Sequence, residues 1–314
     1  MQDYRLLMNS KMILILGVTA SGKSRLAFDM AATLGTEIVS IDSMKVYKMM
    51  DIGTAKPSLE KRQIVPYHLL DIVWPWEAFG VSRFLELEEK ARQDIIARKG
   101  SVVAAGGTSM YIKNLLHGLF DGPGTDEAVR ERLKEQIETL GRGQMHKRLT
   151  QVDPKAAERI HPNDTMRLVR ALEVYEITGK PISQMQTQFD SAPDSRWLVI
   201  GIRRPKEVES RRINARVKKM VEMGLVEEAR SLYEMEQPLS KQASVAIGYA
   251  EFFEYFRGKT TLEKAIEQVK INTRRLAKGQ RTWFRSFAGV NWIEADEDTT
   301  GEQILEQAKG IAEI

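Results

Sequence analysis

With 314 residues, 42% of them hydrophobic and 29% charged, the chain can bury the cores of about two domains and is too apolar to remain disordered. It has no cysteine, which excludes disulfides, thiolate nucleophiles and cysteine-bound zinc and fits a reducing, cytoplasmic setting. Lysine plus arginine exceed aspartate plus glutamate by 47 to 43, a net charge of +4 that permits a nucleic-acid partner without requiring one.

The first ten residues include Asp3 and no cleavage-like site, so no signal peptide is expected, and no later run approaches the ~18 apolar residues of a membrane span. Residues 12–16, 37–41 and 101–105 are short, apolar and β-branched, and helical stretches separate them. Such runs predict a buried parallel sheet with crossover helices. Residues 196–202 form a fourth expected strand and 290–293 a fifth candidate. Between the third and fourth strands the pattern is helical throughout. Thr125-Asp126 predicts a cap for a helix ending near Gly141, Asp153-Pro154 starts a short one, and Asn163-Asp164 caps another that stops at Gly179. Beyond residue 202, helices are expected from about Pro205 to Met223, stopping at Gly224, from about Val226 to Glu236, and after Thr261. The expected fold is α/β: a P-loop NTPase-like parallel sheet core with helices on both faces, over 1–117 and 191–314, with an all-helical insertion domain over 118–190.

Directly after the first strand, Gly17, Val18, Thr19, Ala20, Ser21, Gly22, Lys23 and Ser24 match GxxxxGK[ST]. The glycines let the backbone wrap closely around phosphate, and successive N–H groups and a helix N-terminus face the anion. Lys23 adds positive charge, and Ser24 offers a hydroxyl to Mg²⁺. The motif leaves open whether the phosphate belongs to a nucleotide or to another diphosphate. Asp42 ends the second strand on the edge where α/β sheets bind ligands, a place that suits a metal partner, a general base or a cap for the next turn. Gly106-Gly107-Thr108 close the third strand on the same edge. No Walker B pattern occurs beyond residues 39–42, which argues against a motor ATPase. His68, His117, His146 and His161 lack ligand spacing, so no zinc site is expected.

Residues 268–287 carry Lys270, Arg274, Arg275, Lys278, Arg281 and Arg285 and no acid, and all of these cations except Arg275 fall near one helical face. A basic stripe without compensating acids predicts a polyanion partner. Arg203, Arg204, Arg211, Arg212 and Arg216 begin where the fourth strand ends, and some of them could reach the phosphate site rather than a distant ligand.

GVTASGKS (17–24), IDSMKVYKMMDIGTAKP (41–57), GGT (106–108), HPNDTMRLVRALEVYEITGK (161–180), RRINARVKKMVEMGL (211–225), AIGYAE (246–251) and TRRLAKGQRTWFR (273–285) together resemble the tRNA dimethylallyltransferase family, in the family's order and over nearly the whole chain. The resemblance implies a transferase that moves a dimethylallyl group from its diphosphate to the N6 amine of adenosine 37, next to the anticodon. It implies Mg²⁺ as cofactor, dimethylallyl diphosphate and a tRNA anticodon stem-loop as partners, and a cytoplasmic monomer. Asp42 would be the general base, Thr19 and Arg216 would steady the leaving pyrophosphate, and Lys23 and Ser24 would be cradle and metal partner. Asp42, Ser43, Met44 and Lys45 would surround the target base. Thr108, Arg130, Met166, Arg167, Leu168, Val169 and Arg170 would touch tRNA, with Arg274, Lys278 and Arg281 on the basic helix. The chain departs from the family pattern at Lys45, at Met49 (commonly Gly), at Thr165-Met166, at Ala250 and at Gly279.

Overall fold

In β1 (Lys11–Gly17), alternate side chains enter two separate apolar clusters: Met12, Leu14 and Leu16 on one side, Ile13 and Ile15 on the other. That period of two in an unbroken apolar run is how a central strand covered on both faces reads. The structure, a computed structural model, describes residues 11–120 and 122–314; the expectation about a signal peptide lies outside them. Six strands form one sheet in the order β3-β2-β4-β1-β5-β6, with every neighbouring pair parallel. The others are β2 (Ile38–Ile41), β3 (Tyr67–His68), β4 (Ser101–Gly106), β5 (Trp197–Arg203) and β6 (Val290–Glu294). Leu16 pairs with Gly106 on one side and Gly201 on the other, so the turns after β1, β4 and β5 leave the same edge. Asp42 follows β2 there, because Ile41 also pairs with Gly106.

Helices α1 (Lys23–Leu34) and α14 (Gly301–Ala312) cover one face through Leu26, Met30, Ile304 and Ala308. On the opposite face lie α3 (Val81–Lys99), α4 (Ser109–His117), α10 (Lys206–Glu222), α11 (Leu225–Tyr233), α12 (Ala250–Phe256) and α13 (Leu262–Phe284). A short α2 (Leu59–Ile64) precedes β3. No helix among the described residues is long and apolar enough to cross a membrane.

The chain divides into two units, one running to Leu116 and resuming at Pro193, the other spanning His117–Ala192. The second is built from α5 (Glu127–Leu140), α6 (Arg142–Val152), α7 (Pro154–Arg159), α8 (Thr165–Thr178) and α9 (Ile182–Met185) around Leu133, Leu149, Leu168 and Leu172. Asp126, Asp153 and Asp164 cap α5, α7 and α8 through the amides of Val129, Ala156 and Arg167. These carboxylates satisfy first-turn N–H groups that a helix leaves unpaired.

Three features go beyond the sequence reading. The two residues of β3 add an edge strand too short to announce itself. The last helix opens with a Thr300–Gln303 capping box. Met49, where the resembling family commonly has glycine, sits at φ 64, a backbone region that costs an ordinary side chain energy.

Candidate active site

The loop after β1 is shaped by arginines from outside it. Ser21 N–H donates to the Val18 carbonyl, and α1 begins where the Arg25 and Leu26 amides donate to Gly22. Arg204 Nε donates to the Ser21 carbonyl and Arg212 Nε to that of Ala20, both at 2.8 Å. With these oxygens engaged, Ala20, Gly22, Lys23, Ser24, Arg212 and Arg216 line a pocket of about 370 Å³. Burial, then the charges of Arg216 and Lys45, push the Lys23 ammonium down to about 7, with Asp42 opposing. Burial also lowers the Lys45 ammonium, against the pull of Asp42. Burial lowers the Arg216 guanidinium as well, again with Asp42 opposing. Three crowded cations share one carboxylate, an arrangement that an entering polyanion relieves.

Arg216 also lines a second, mainly apolar cavity of about 500 Å³, together with Thr19, Asp42, Ser43, Met44, Gly107 and Thr108. Its apolar wall comes from α10, α11 and α13 through Val217, Met220, Leu225, Val269, Leu276 and Trp283. Asp42 Oδ1 accepts the Met44 and Lys45 amides at 2.9 and 3.2 Å, so the carboxylate caps its own turn while lining the cavity. Thr108 Oγ1 accepts the Ser43 amide at 3.0 Å and ties the β4 turn to that after β2. Gln280, 8% exposed, links two loops: its Oε1 accepts the Thr19 amide and its Nε2 donates to the Gly107 carbonyl, each at 2.8 Å. A Cβ on Gly107 would stand 2.6 Å from that Nε2 and would force the amide to shift.

The DIGTAKP block is held as a frame. Glu228 on α11 accepts the amides of Asp51, Ile52 and Gly53 and the Tyr249 hydroxyl. A Cβ on Gly53 would sit 2.5 Å from the Tyr249 ring. Lys56, with its side chain 1% exposed, donates to the Tyr47 carbonyl and pairs with Asp51 and Asp71. Sequence reasoning did not single out Gln280, Glu228, Tyr249 or Lys56 individually. The quoted blocks contain Gln280, Tyr249 and Lys56 but not Glu228, and the partners of all four lie far along the chain.

The expected nucleic-acid contacts are unequal. In the second unit Met166 is 86% exposed and Arg167 is also exposed, but Leu168 and Val169 are core residues of α8, turned inward by helical period. Arg170 and Arg130 both pair with the buried Glu173 carboxylate. Burial works against the Glu173 charge, yet hydrogen bonds from Arg170, the Asp126 amide and Arg130 outweigh it and hold the carboxyl below its usual range. The stripe on α13 is not free of acids as expected. Lys270 and Arg274 pair with Glu267, one residue upstream of the acid-free window, and Arg281 pairs with Glu209 of α10. Lys278 and Arg285 are exposed and hold no ion pair among the described residues.

A glycine-edged phosphate loop after the first strand of a parallel sheet, opening beside an apolar cavity, defines a P-loop protein for a phosphorylated apolar ligand. The sequence model of the IPP transferase family matches residues 45–287. The tRNA dimethylallyltransferase of Geobacter metallireducens is 44% identical over 91% of this chain and 93% of its own length. The tRNA isopentenylpyrophosphate transferase of Bacillus halodurans superposes with a TM-score of 0.69 at 37% identity, covering 97% of each chain. A eukaryotic dimethylallyltransferase acting on tRNA gives a TM-score of 0.80 at 28% identity, over 97% of this chain and 80% of the other. The chain belongs to the IPP transferase family.

Proposed function

We infer that the protein transfers the dimethylallyl group of dimethylallyl diphosphate to the N6 amine of adenosine 37 in tRNA, releasing pyrophosphate. One juxtaposition carries the reading: Asp42 stands where the cation-rich cradle meets, through Arg216, the mainly apolar cavity. A prenyl diphosphate has the same division, a dense anion joined to a small hydrocarbon. The amine attacks C1 of the prenyl group, the C1–O bond breaks, and its electron pair leaves with pyrophosphate. The surplus N6 proton passes to Asp42, whose Oδ1 is held by the Met44 and Lys45 amides, which leaves Oδ2 to take it. Charge grows on the leaving group as C1–O breaks, so Lys23, Arg216, Thr19 and the loop amides stabilise the transition state more than the bound donor.

Mg²⁺ fits this site as a cation that takes most of its oxygens from substrate. Among the described residues no three histidines or carboxylates cluster to cage a metal, while Ser24 presents an exposed hydroxyl at the phosphate pocket. Ser24 would hold the ion, which neutralises leaving-group charge when bound. The target base must leave its stack to reach Asp42, and Ser43, Met44 and Lys45 flank it on arrival. Thr108, and in the second unit Met166 and Arg167, would meet RNA, with Arg130 and Arg170 steadied by Glu173.

The experiment offers dimethylallyl diphosphate and Mg²⁺ with unmodified tRNA in one tube and AMP in another, and reads nucleosides by mass. A prenyl-sized gain on adenosine from tRNA alone is expected; gain on AMP, or ATP consumption without gain, overturns the reading. Asp42→Ala should cut turnover by at least about 100-fold while leaving tRNA affinity nearly unchanged. Equal losses in both would remove Asp42 from the role of base.

A further inference from the structure

A tryptophan pair stands on the turn that follows β3. Trp74 and Trp76 stack with ring centroids 5.0 Å apart and planes within 5°, and Trp74 remains 40% exposed. Lys48 places its ammonium 4.2 Å from the Trp74 ring centroid. Buried tryptophans contribute strongly to a core, so an exposed indole stacked on a half-buried one suits a ligand with a flat face.

Local structure holds the pair in place. The Trp74 amide donates to Glu77 at 2.7 Å, closing the turn that carries both rings. The Pro75 carbonyl between them accepts the Ser240 amide, and the Val73 carbonyl accepts that of Lys48, each at 2.8 Å. Both anchoring strands of chain run on into the reaction cavity, one through Met44 and the other through Gln242 and Val245. The turn that carries the indoles is thus tied on two sides to segments that line the cavity a few residues further on.

We propose that Trp74 and Trp76, with Lys48, form a stacking platform for an unpaired base of the RNA substrate that neighbours the one entering the cavity. The inference rests on the functional reading above. Sequence-specific RNA binding commonly takes unstacked loop bases onto aromatic faces, and a lysine beside such a face meets the attached phosphate. Extruding one base from a loop unstacks its neighbours, and a rigid indole pair replaces the lost stacking without further ordering of the protein.

The test titrates a labelled, unmodified anticodon stem-loop RNA into wild-type protein, Trp74→Ala and Trp74→Phe at several salt concentrations. Tryptophan fluorescence and single-turnover transfer are followed alongside. Trp74→Ala should bind the RNA roughly 5- to 150-fold more weakly, with an unchanged salt slope because no phosphate contact is lost. Trp74→Phe should recover most of the affinity, and the saturable quench seen with wild type should shrink in Trp74→Ala. Equal affinity and equal quench in wild type and Trp74→Ala would overturn the platform, as would a loss that Phe does not repair. Wild type that binds the RNA but transfers nothing would sink the functional reading and leave the stacking result standing; wild type that binds no RNA overturns both.

Discussion

Lys23 occupies surroundings that oppose its own charge: burial comes first, followed by Arg216 and Lys45, and together they bring its ammonium down to about 7. A bound diphosphate reverses that balance by adding negative charge beside it, so the Lys23 pKa rises on binding. The sign of the pH effect follows. Below about 7 the free protein already carries the Lys23 charge, and donor affinity is at its fullest. Above that value the free protein has lost the proton and must regain it to bind, so affinity falls as pH rises until the raised pKa of the complex is passed. Donor titrations at pH values below and above about 7 should show this decline in wild type and a flatter profile in Lys23→Met, beyond the titration of the diphosphate itself. A parallel profile in the two proteins would mean that Lys23 does not titrate in that range.

α13 shows why an element with two faces is only half legible. Its basic stripe announces itself by composition and period. The opposite face, where Thr273, Leu276, Gln280 and Trp283 line the cavity, carries no compositional signal. Gln280 acts across the sheet edge, between a loop amide at Thr19 and a carbonyl at Gly107, and such contacts leave no trace in local pattern. Gln280→Leu leaves both groups without their partner, which should cost about 1–3 kcal/mol in denaturant unfolding and lower kcat by loosening Thr19. Gln280→Glu keeps the acceptor for Thr19 but loses the donor for Gly107, so it should stay folded yet lose kcat. Unchanged kcat in both variants would leave Gln280 a packing residue. The β-branched runs, the phosphate loop and the Asp caps at 126, 153 and 164 were readable because each is decided within a few residues. The edge strand β3 has two half-buried residues and no period to detect. The Glu228 and Lys56 anchorages join segments that only the fold brings together.

At the scale of the molecule, a net charge of +4 says little about where RNA would be held, because ion pairs consume much of the basic surface. Arg281 pairs with Glu209, which is 2% exposed, and burial pushes the Glu209 carboxyl up while Arg281 works against that rise. Lys278, three residues before Arg281 on α13, has no such partner among the described residues. The two cations therefore separate stability from recognition. Arg281→Met strands a buried carboxylate and should cost about 3–5 kcal/mol at neutral pH. That deficit should shrink on acidification, since a protonated Glu209 needs no cation. Lys278→Met should leave unfolding unchanged but weaken tRNA binding and flatten its salt slope by roughly one. Chemical denaturation at two pH values and tRNA titrations across salt read the two effects independently. If Lys278→Met keeps the full slope, the exposed side of α13 is a solvated face, and RNA must be gripped by other cations.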